Sequence, residues 1–294
     1  MTGRSLTSVF AYARPNDLDG ALALLTEVPG ARPLGGGTDL LVALRKAAHR
    51  PPLVIDLKRI GELTGGIEER DGWLRIAATT VMTDVTTDER LRVAFPALAE
   101  AAEVVGSIQI RNRATLAGNL CNASPAADTV PALLVYGAVV EIVGPSGRRR
   151  IAADELITGP GRTTLAADEL ISAVELPLRR ERRGSAFGRI TRRRGVDLAT
   201  VNLCCSVSVD GTTRFAFGAV GPRAFVVADD EGILADPSAD EATRDETLRG
   251  IFAAATPISN VRASREYRLA MVSVLGRRAL DAALARLEKT DGAA

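Results

Sequence analysis

Two stretches of this sequence carry residue types and spacings that could do chemistry. In the first, RPLGGGTDLLVALRK at 32–46, Gly35, Gly36 and Gly37 follow a short apolar run. A helical pattern begins at Thr38 and continues through Leu40, Leu41 and Leu44. A glycine turn feeding a helix start aims free N–H groups and the positive end of the helix dipole at one spot, a geometry that suits a phosphate or pyrophosphate. The same residues also read as a plain tight turn capped by Thr38 or Asp39. In the second, at 109–144, the segment 115–128 is dense in Thr, Ala, Gly, Asn and Ser with a single Pro. Small residues let backbone approach a flat or anionic group because little Cβ bulk intervenes. The apolar run at 133–143 holds that backbone against a core, as a site for a large cofactor requires.

Other chemistries lack their residues. Neither a GxxxxGK(S/T) loop nor a GxGxxG fingerprint is present, which argues against a P-loop NTPase and a Rossmann site. The single histidine, His49, lies in polar KAAHRPP and reads as a surface residue. One histidine excludes a multi-histidine metal site and leaves no partner for a nucleophile. Three cysteines, Cys121, Cys204 and Cys205, form no CxxC pair and are too few for a four-cysteine iron-sulfur cluster. Cys121 lies within the small-residue stretch and can approach a ligand there. Cys204 and Cys205 sit in a strand pattern and read as small core hydrophobes. A carboxylate pair can be drawn from Asp39 and Asp128, but a helix cap for Asp39 and a turn or a hydrogen bond to a ligand hydroxyl for Asp128 are the preferred readings. No catalytic residue and no metal ligand is assigned. Two backbone cradles without an acid–base set point to a bound cofactor that does the chemistry.

A formal net charge of +1, 46% hydrophobic and 25% charged residues describe an ordinary globular protein with no general attraction for nucleic acid or anionic membrane. No signal peptide and no apolar run of membrane-spanning length is read, so the expectation is a cytoplasmic protein.

The elements that must position the cradles follow from pattern. The 294 residues allow two domains. Leu18, Ala21, Leu22 and Leu25 recur at helical spacing after Pro15 and Asn16. Strands are expected at 51–57, 73–78, 138–143, 149–152 and 169–176, with a loop at 157–165 and one helix over 83–102. The arginine-rich segment 179–194 is the domain boundary, read as a solvated hinge or subunit contact rather than a nucleic-acid surface. Strands follow at 199–209 and 214–220, and helices at 243–254 and 264–287. The last is the strongest, with Leu269, Val272, Gly276, Ala279, Ala283 and Leu287 on one face.

Taken in order, LGGGTDLL, QIRNRATLAGNLCNASPAAD, GPGRTTL and RRRGVDLA resemble the FAD-binding medium subunit of molybdenum hydroxylases. That family includes carbon monoxide dehydrogenase, bacterial xanthine dehydrogenase, and nicotine or caffeine dehydrogenases. The likeness extends to Phe10, Tyr12 and Pro15 at the start and to SREYRLAMVSVLGRRAL near the end, so it covers almost the whole chain. It implies an α+β fold: a vanillyl-alcohol-oxidase (PCMH)-type FAD-binding domain of two subdomains, about 1–57 and 58–178, then a C-terminal domain at 184–288 with a three-stranded antiparallel sheet and a helical bundle. It also implies non-covalent FAD. Pro33, Leu34, Gly35, Gly36, Gly37, Thr38, Asp39 and Leu40 would form the first pyrophosphate cradle, and Thr115, Leu116, Ala117, Gly118 and Asn119 the second. Asp128 matches the position at the adenosine ribose, Ser124 a small polar position near the cofactor, and Leu165 an apolar position by the flavin. Arg189 lies near the place where relatives often carry a Lys. One departure is Ala117, where the family usually has glycine. If that position needs positive φ, alanine costs about 1 kcal/mol or more.

The implied role is electron transfer. Molybdopterin and 2Fe-2S clusters would belong to partners, a large molybdopterin-binding subunit and a small iron-sulfur subunit. The acceptor would be NAD, a quinone or another oxidant. Two rivals are a free-standing flavin oxidase of the same fold and a scaffold that has lost its cofactor. Covalent oxidases of the fold attach FAD through His or Cys, and neither His49 nor Cys121 sits in such a motif. Ala117 is the only support for the scaffold.

Overall fold

The structure is a computed structural model and describes residues 10–46, 50–178 and 181–291. His49 and the first two arginines of the basic segment lie outside the described residues.

The chain begins with a small parallel sheet. Strand β1 (Ala11–Ala13) and β2 (Arg32–Leu34) both pair with a central β3 (Leu53–Asp56). Helix α1 (Leu18–Glu27) connects β1 to β2 and buries Leu18, Ala21, Leu22 and Leu25, the residues the spacing picked out. Asp17 starts it by accepting from the amide of Gly20 at 2.8 Å. A short α2 (Leu40–Arg45) connects β2 to β3.

The next unit is an antiparallel sheet. Its strands are β4 (Ile67–Arg70), β5 (Trp73–Ala77), β6 (Val139–Gly144), β7 (Gly147–Ala152) and β10 (Leu170–Pro177), in the order β4-β5-β10-β6-β7. Between β5 and β6 run α3 (Met82–Thr87), α4 (Glu89–Ala94), α5 (Pro96–Glu103), α6 (Ile108–Arg111), α7 (Leu116–Asn122) and α8 (Thr129–Val135). The single helix expected over 83–102 is therefore three. Asp88 ends α3 and caps α4 by accepting from Arg90 and Leu91, and Pro96 opens α5 at a position where its missing N–H costs nothing. The loop expected at 157–165 is a small hairpin, β8 (Ile157–Gly159) with β9 (Arg162–Thr163), preceded by a turn of helix α9 (Ala153–Leu156).

The last unit has a sheet of four strands rather than the expected three. They are β11 (Arg183–Ile190), β12 (Val201–Ser208), β13 (Thr213–Gly218) and β14 (Phe225–Asp229), all antiparallel in that order. Helices α10 (Glu241–Phe252) and α11 (Arg265–Asp291) pack with it. Much of the basic segment read as a hinge is thus strand β11, and its glycines explain why. A Cβ on Gly184 would lie 1.9 Å from the carbonyl oxygen of Ala283, and one on Gly188 2.9 Å from Leu275 Cδ1. The glycines let α11 lie directly on the strand.

Two apolar cores result. One runs from Leu18 to Leu176 and takes in Cys204, Ala216 and Ala224 from the last unit. The other lies under α10 and α11, where Phe215, Phe217 and Phe252 meet at ring distances of 5.7 to 6.3 Å. Cys204 and Cys205 are both fully buried, one in each core, because successive strand residues face opposite ways.

Candidate functional site

The first glycine turn leaves β2 at Leu34, whose carbonyl accepts from Leu57. Gly37 has φ +80°, a conformation that side chains rarely adopt. Gly36 has a different need. A Cβ there would sit 1.9 Å from the carbonyl oxygen of Arg113 and 2.9 Å from the Cα of Ala114. Gly35 faces the hydroxyl of Thr115. The two stretches singled out in the sequence therefore touch. Among the described residues, the amides of 35–39 donate to no protein acceptor. Leu41 and Ala43 donate back to Gly37 and Asp39, so the turn runs straight into α2. Asp39 makes no side-chain cap bond, which removes the plain-cap reading. A run of unpaired amides at a helix start can receive an anion.

Behind this turn lies a group the sequence reading missed. Asp56 is 4% exposed at the end of β3. It accepts from Lys58 Nζ at 2.6 Å and from the Tyr12 hydroxyl at 2.5 Å. Burial pushes its carboxyl up, but Lys58 and Tyr12 overcome this and hold it below the usual carboxylate range. Lys58 Nζ also donates to the carbonyl of Gly35 at 3.3 Å. An acidic residue closing an otherwise apolar strand, VID before LK, was the available signal.

The second stretch opens as a helix, α7. Thr115 caps α7 by accepting from Gly118 at 3.0 Å. A Cβ on Gly118 would meet that hydroxyl at 2.7 Å, so glycine permits the close approach. Ala117 lies in the helix with ordinary negative φ, and its methyl is buried in the larger core. The position does not need positive φ, so the condition under which alanine would be strained is not met. The left-handed residue is Ala123 instead, at φ 47°, where α7 ends. Leu116 is fully buried, and Asn119 accepts from the Thr129 hydroxyl at 2.8 Å. Cys121 is exposed on α7. Ser124 turns the chain by accepting from Ala126, while the carbonyl of Ala123 accepts from Gly161 in the hairpin. Leu165 follows that hairpin and packs half-buried against the larger core.

Asp128 is closed over by the last unit. Its Oδ2 accepts from Arg189 Nη1 and its Oδ1 from Asn202 Nδ2, each at 2.8 Å. Arg189 also donates to the carbonyls of Val104 at 2.9 Å and Asp197 at 3.1 Å. Burial pushes the Asp128 carboxyl up to about 6, although Arg189 and Asn202 pull it back. Both its oxygens are engaged, so the carboxylate pair with Asp39 does not form. Asn202 went unread because a strand pattern does not show which buried amide faces another sheet. The same seam is fixed elsewhere. The Tyr136 hydroxyl joins the amide of Ala97 at 3.0 Å and Ser185 at 2.5 Å, and Glu100 accepts from Phe187 and Arg286. Among the described residues, no cluster of His, Cys, Asp or Glu could hold a metal, and no helix is long and apolar enough to cross a membrane.

Comparison with known proteins fits this arrangement. Residues 8–179 match the FAD binding domain in molybdopterin dehydrogenase, and residues 186–283 match the CO dehydrogenase flavoprotein C-terminal domain. The chain belongs to the FAD-binding medium subunits of the carbon monoxide/xanthine dehydrogenase family. It is 31% identical over 280 residues to a xanthine dehydrogenase FAD-binding subunit of Escherichia coli, covering 94% of this chain and 96% of that one. It is 29% identical to the carbon monoxide dehydrogenase medium chain of Afipia carboxidovorans, covering 94% and 97%. Among solved structures, the carbon monoxide dehydrogenase of Hydrogenophaga pseudoflava superposes with TM-score 0.87 at 30% identity over 94% of this chain and 98% of that one. The quinoline 2-oxidoreductase of Pseudomonas putida gives TM-score 0.84 at 27% identity over 96% and 98%. The PCMH-type fold class is thereby established, and with it an oxidoreductase subunit whose cofactor is FAD. The medium subunit's residues suit that cofactor. Free amides, a glycine that admits no Cβ and a nearby lysine match the anionic middle of a dinucleotide.

Proposed function

We propose that this chain is the electron-transfer subunit of a heteromeric molybdenum hydroxylase. FAD held by this chain would supply the redox chemistry that links the 2Fe-2S clusters of a small iron-sulfur subunit to an acceptor such as NAD or a quinone. A large molybdopterin-binding subunit oxidises the substrate. The chain's own residues bind and orient. Pro33, Leu34, Gly35, Gly36, Gly37, Thr38, Asp39 and Leu40 form the first pyrophosphate cradle. Thr115, Leu116, Ala117, Gly118 and Asn119 form the second, Ser124 and Leu165 border the cofactor, and Asp128 with Arg189 holds the ribose end. The FAD-binding domain occupies 1–178, with subdomains at about 1–57 and 58–178, and the C-terminal domain 184–288. The site is cytoplasmic in this reading.

One observation carries the assignment of the cradle. Five consecutive amides without protein acceptors lie on a turn pressed against the start of the second stretch. Such a junction favours an extended anionic ligand over a small one. The test is an absorption spectrum of the purified chain before and after acid precipitation. Flavin bands that leave with the supernatant are expected. Flavin retained in the precipitate would mean a covalent oxidase, and none after incubation with excess FAD would remove the reading. Co-purification with a large and a small subunit tests the assembly.

A further inference from the structure

β3 is buried along its whole length and ends on a charge. A carboxylate as deep as Asp56 needs partners, and cations surround it. Lys58 Nζ lies 2.6 Å from Oδ1, and Arg14 Nε 3.8 Å from Oδ2. The Tyr12 hydroxyl and the amide of Lys58 complete the set. One carboxylate thus faces two cations, and the cluster keeps a net positive charge.

Lys58 is tied at both ends of its reach. Asp56 anchors its ammonium, and the ammonium holds the carbonyl of Gly35, the first peptide of the glycine turn. In a trans peptide the carbonyl and the following N–H point in opposite directions. Pulling the Gly35 carbonyl toward Lys58 turns the Gly36 N–H away from Lys58, onto the face where no protein acceptor waits. Gly36 cannot rotate freely to compensate, because it is pressed against Arg113 and Ala114.

We infer that Lys58, anchored by Asp56, is the positioning residue of the first cradle: it sets the Gly35–Gly36 peptide so that its N–H faces the FAD pyrophosphate, and it adds positive charge behind the turn. The inference rests on the FAD reading and goes beyond it, since no motif of the resemblance includes Lys58 or Asp56.

The test is a FAD titration of the full chain, followed by flavin fluorescence across a series of salt concentrations, for wild type, Lys58→Met and Lys58→Arg. Lys58→Met should weaken FAD binding about 10-fold, the scale of one lost charged hydrogen bond, and flatten its salt dependence. Lys58→Arg should restore most of both. The melting temperature of the FAD-free protein should fall in Lys58→Met, which leaves the buried Asp56 carboxylate with only Tyr12 and Arg14, and recover in Lys58→Arg. Wild-type affinity and salt slope in Lys58→Met would overturn the inference. So would an arginine variant as weak as methionine together with a lowered melting temperature in both, which marks a structural role. Failure of the wild type to bind FAD would overturn the underlying reading instead.

Discussion

The two halves of the groove meet at Gly36 and are held by opposite means. The first is backbone left open: unpaired amides, a glycine with no room for a Cβ, and one lysine gripping a carbonyl from behind. The second is backbone already satisfied. Thr115 caps α7, Asn119 is bonded to Thr129, and Asp128 is locked by Arg189 and Asn202 from another sheet. The open half can give its hydrogen bonds only to water or a ligand. The closed half places its groups by tertiary contact, so its geometry depends on the C-terminal unit staying docked. Ligand affinity thus rests mainly on the open half, while domain docking rests on the closed half, whose Asp128 and Arg189 serve both.

Breaking the closed half should have the largest effect. Arg189→Met leaves Asp128 buried without its cation, and loss of one member of such a pair costs about 3 to 5 kcal/mol. Chemical denaturation should show it as a lowered midpoint, with the transition of the C-terminal unit separating from the rest. Gly36→Ala attacks the junction. Its methyl meets backbone at 1.9 Å, so the turn must move, with a stability cost of about 1 to 3 kcal/mol and loss of bound flavin. Comparing flavin content with melting temperature separates the two halves: Gly36→Ala should lose flavin out of proportion to stability, whereas Arg189→Met should lose both together.

Ala117→Gly sharpens the comparison at smaller scale. Glycine is the residue expected from the family, yet here the position is helical and its methyl buried, so the substitution should destabilise by about 1 kcal/mol rather than relieve strain. A raised melting temperature would contradict the geometry.

A further effect concerns pH. The Asp128 carboxyl is raised to about 6 in the fold, so between its ordinary value and about 6 the folded state holds a proton that the unfolded chain has lost. Its contribution to stability is full below that window, falls through it, and is flat above about 6. Wild type should therefore lose stability relative to Asp128→Asn as pH rises from about 4 to 6. Parallel curves would show that the carboxyl is not raised.

The open half was legible because its signals are local. Three glycines before a helical pattern announce a turn and a helix start in a dozen residues, and the covering helices 18–27 and 265–291 were equally readable from their spacing. The closed half was legible only as composition. Residues 115–128 were seen as small and close-packed, but nothing in them shows that Asn202 lies over Asp128 or that Ala117 is helical. Strand β11 was hidden for a related reason. Its arginines suggested solvent, while its glycines, which admit α11, look like flexibility until the helix is in place. Lys58 was passed over because an ion pair two residues apart looks like a surface pair until the fold brings the Gly35 carbonyl beside it.

The most direct test of a groove built from two cradles is amide hydrogen exchange of the full chain with and without FAD. Protection should appear at 35–39, whose amides have no protein acceptor, and by a smaller factor at 115–119, where Gly118 and Asn119 already donate to Thr115, while the seam around Asp128 should already be slow without ligand. Protection confined to one stretch, or to neither, would contradict the claim that both hold one cofactor.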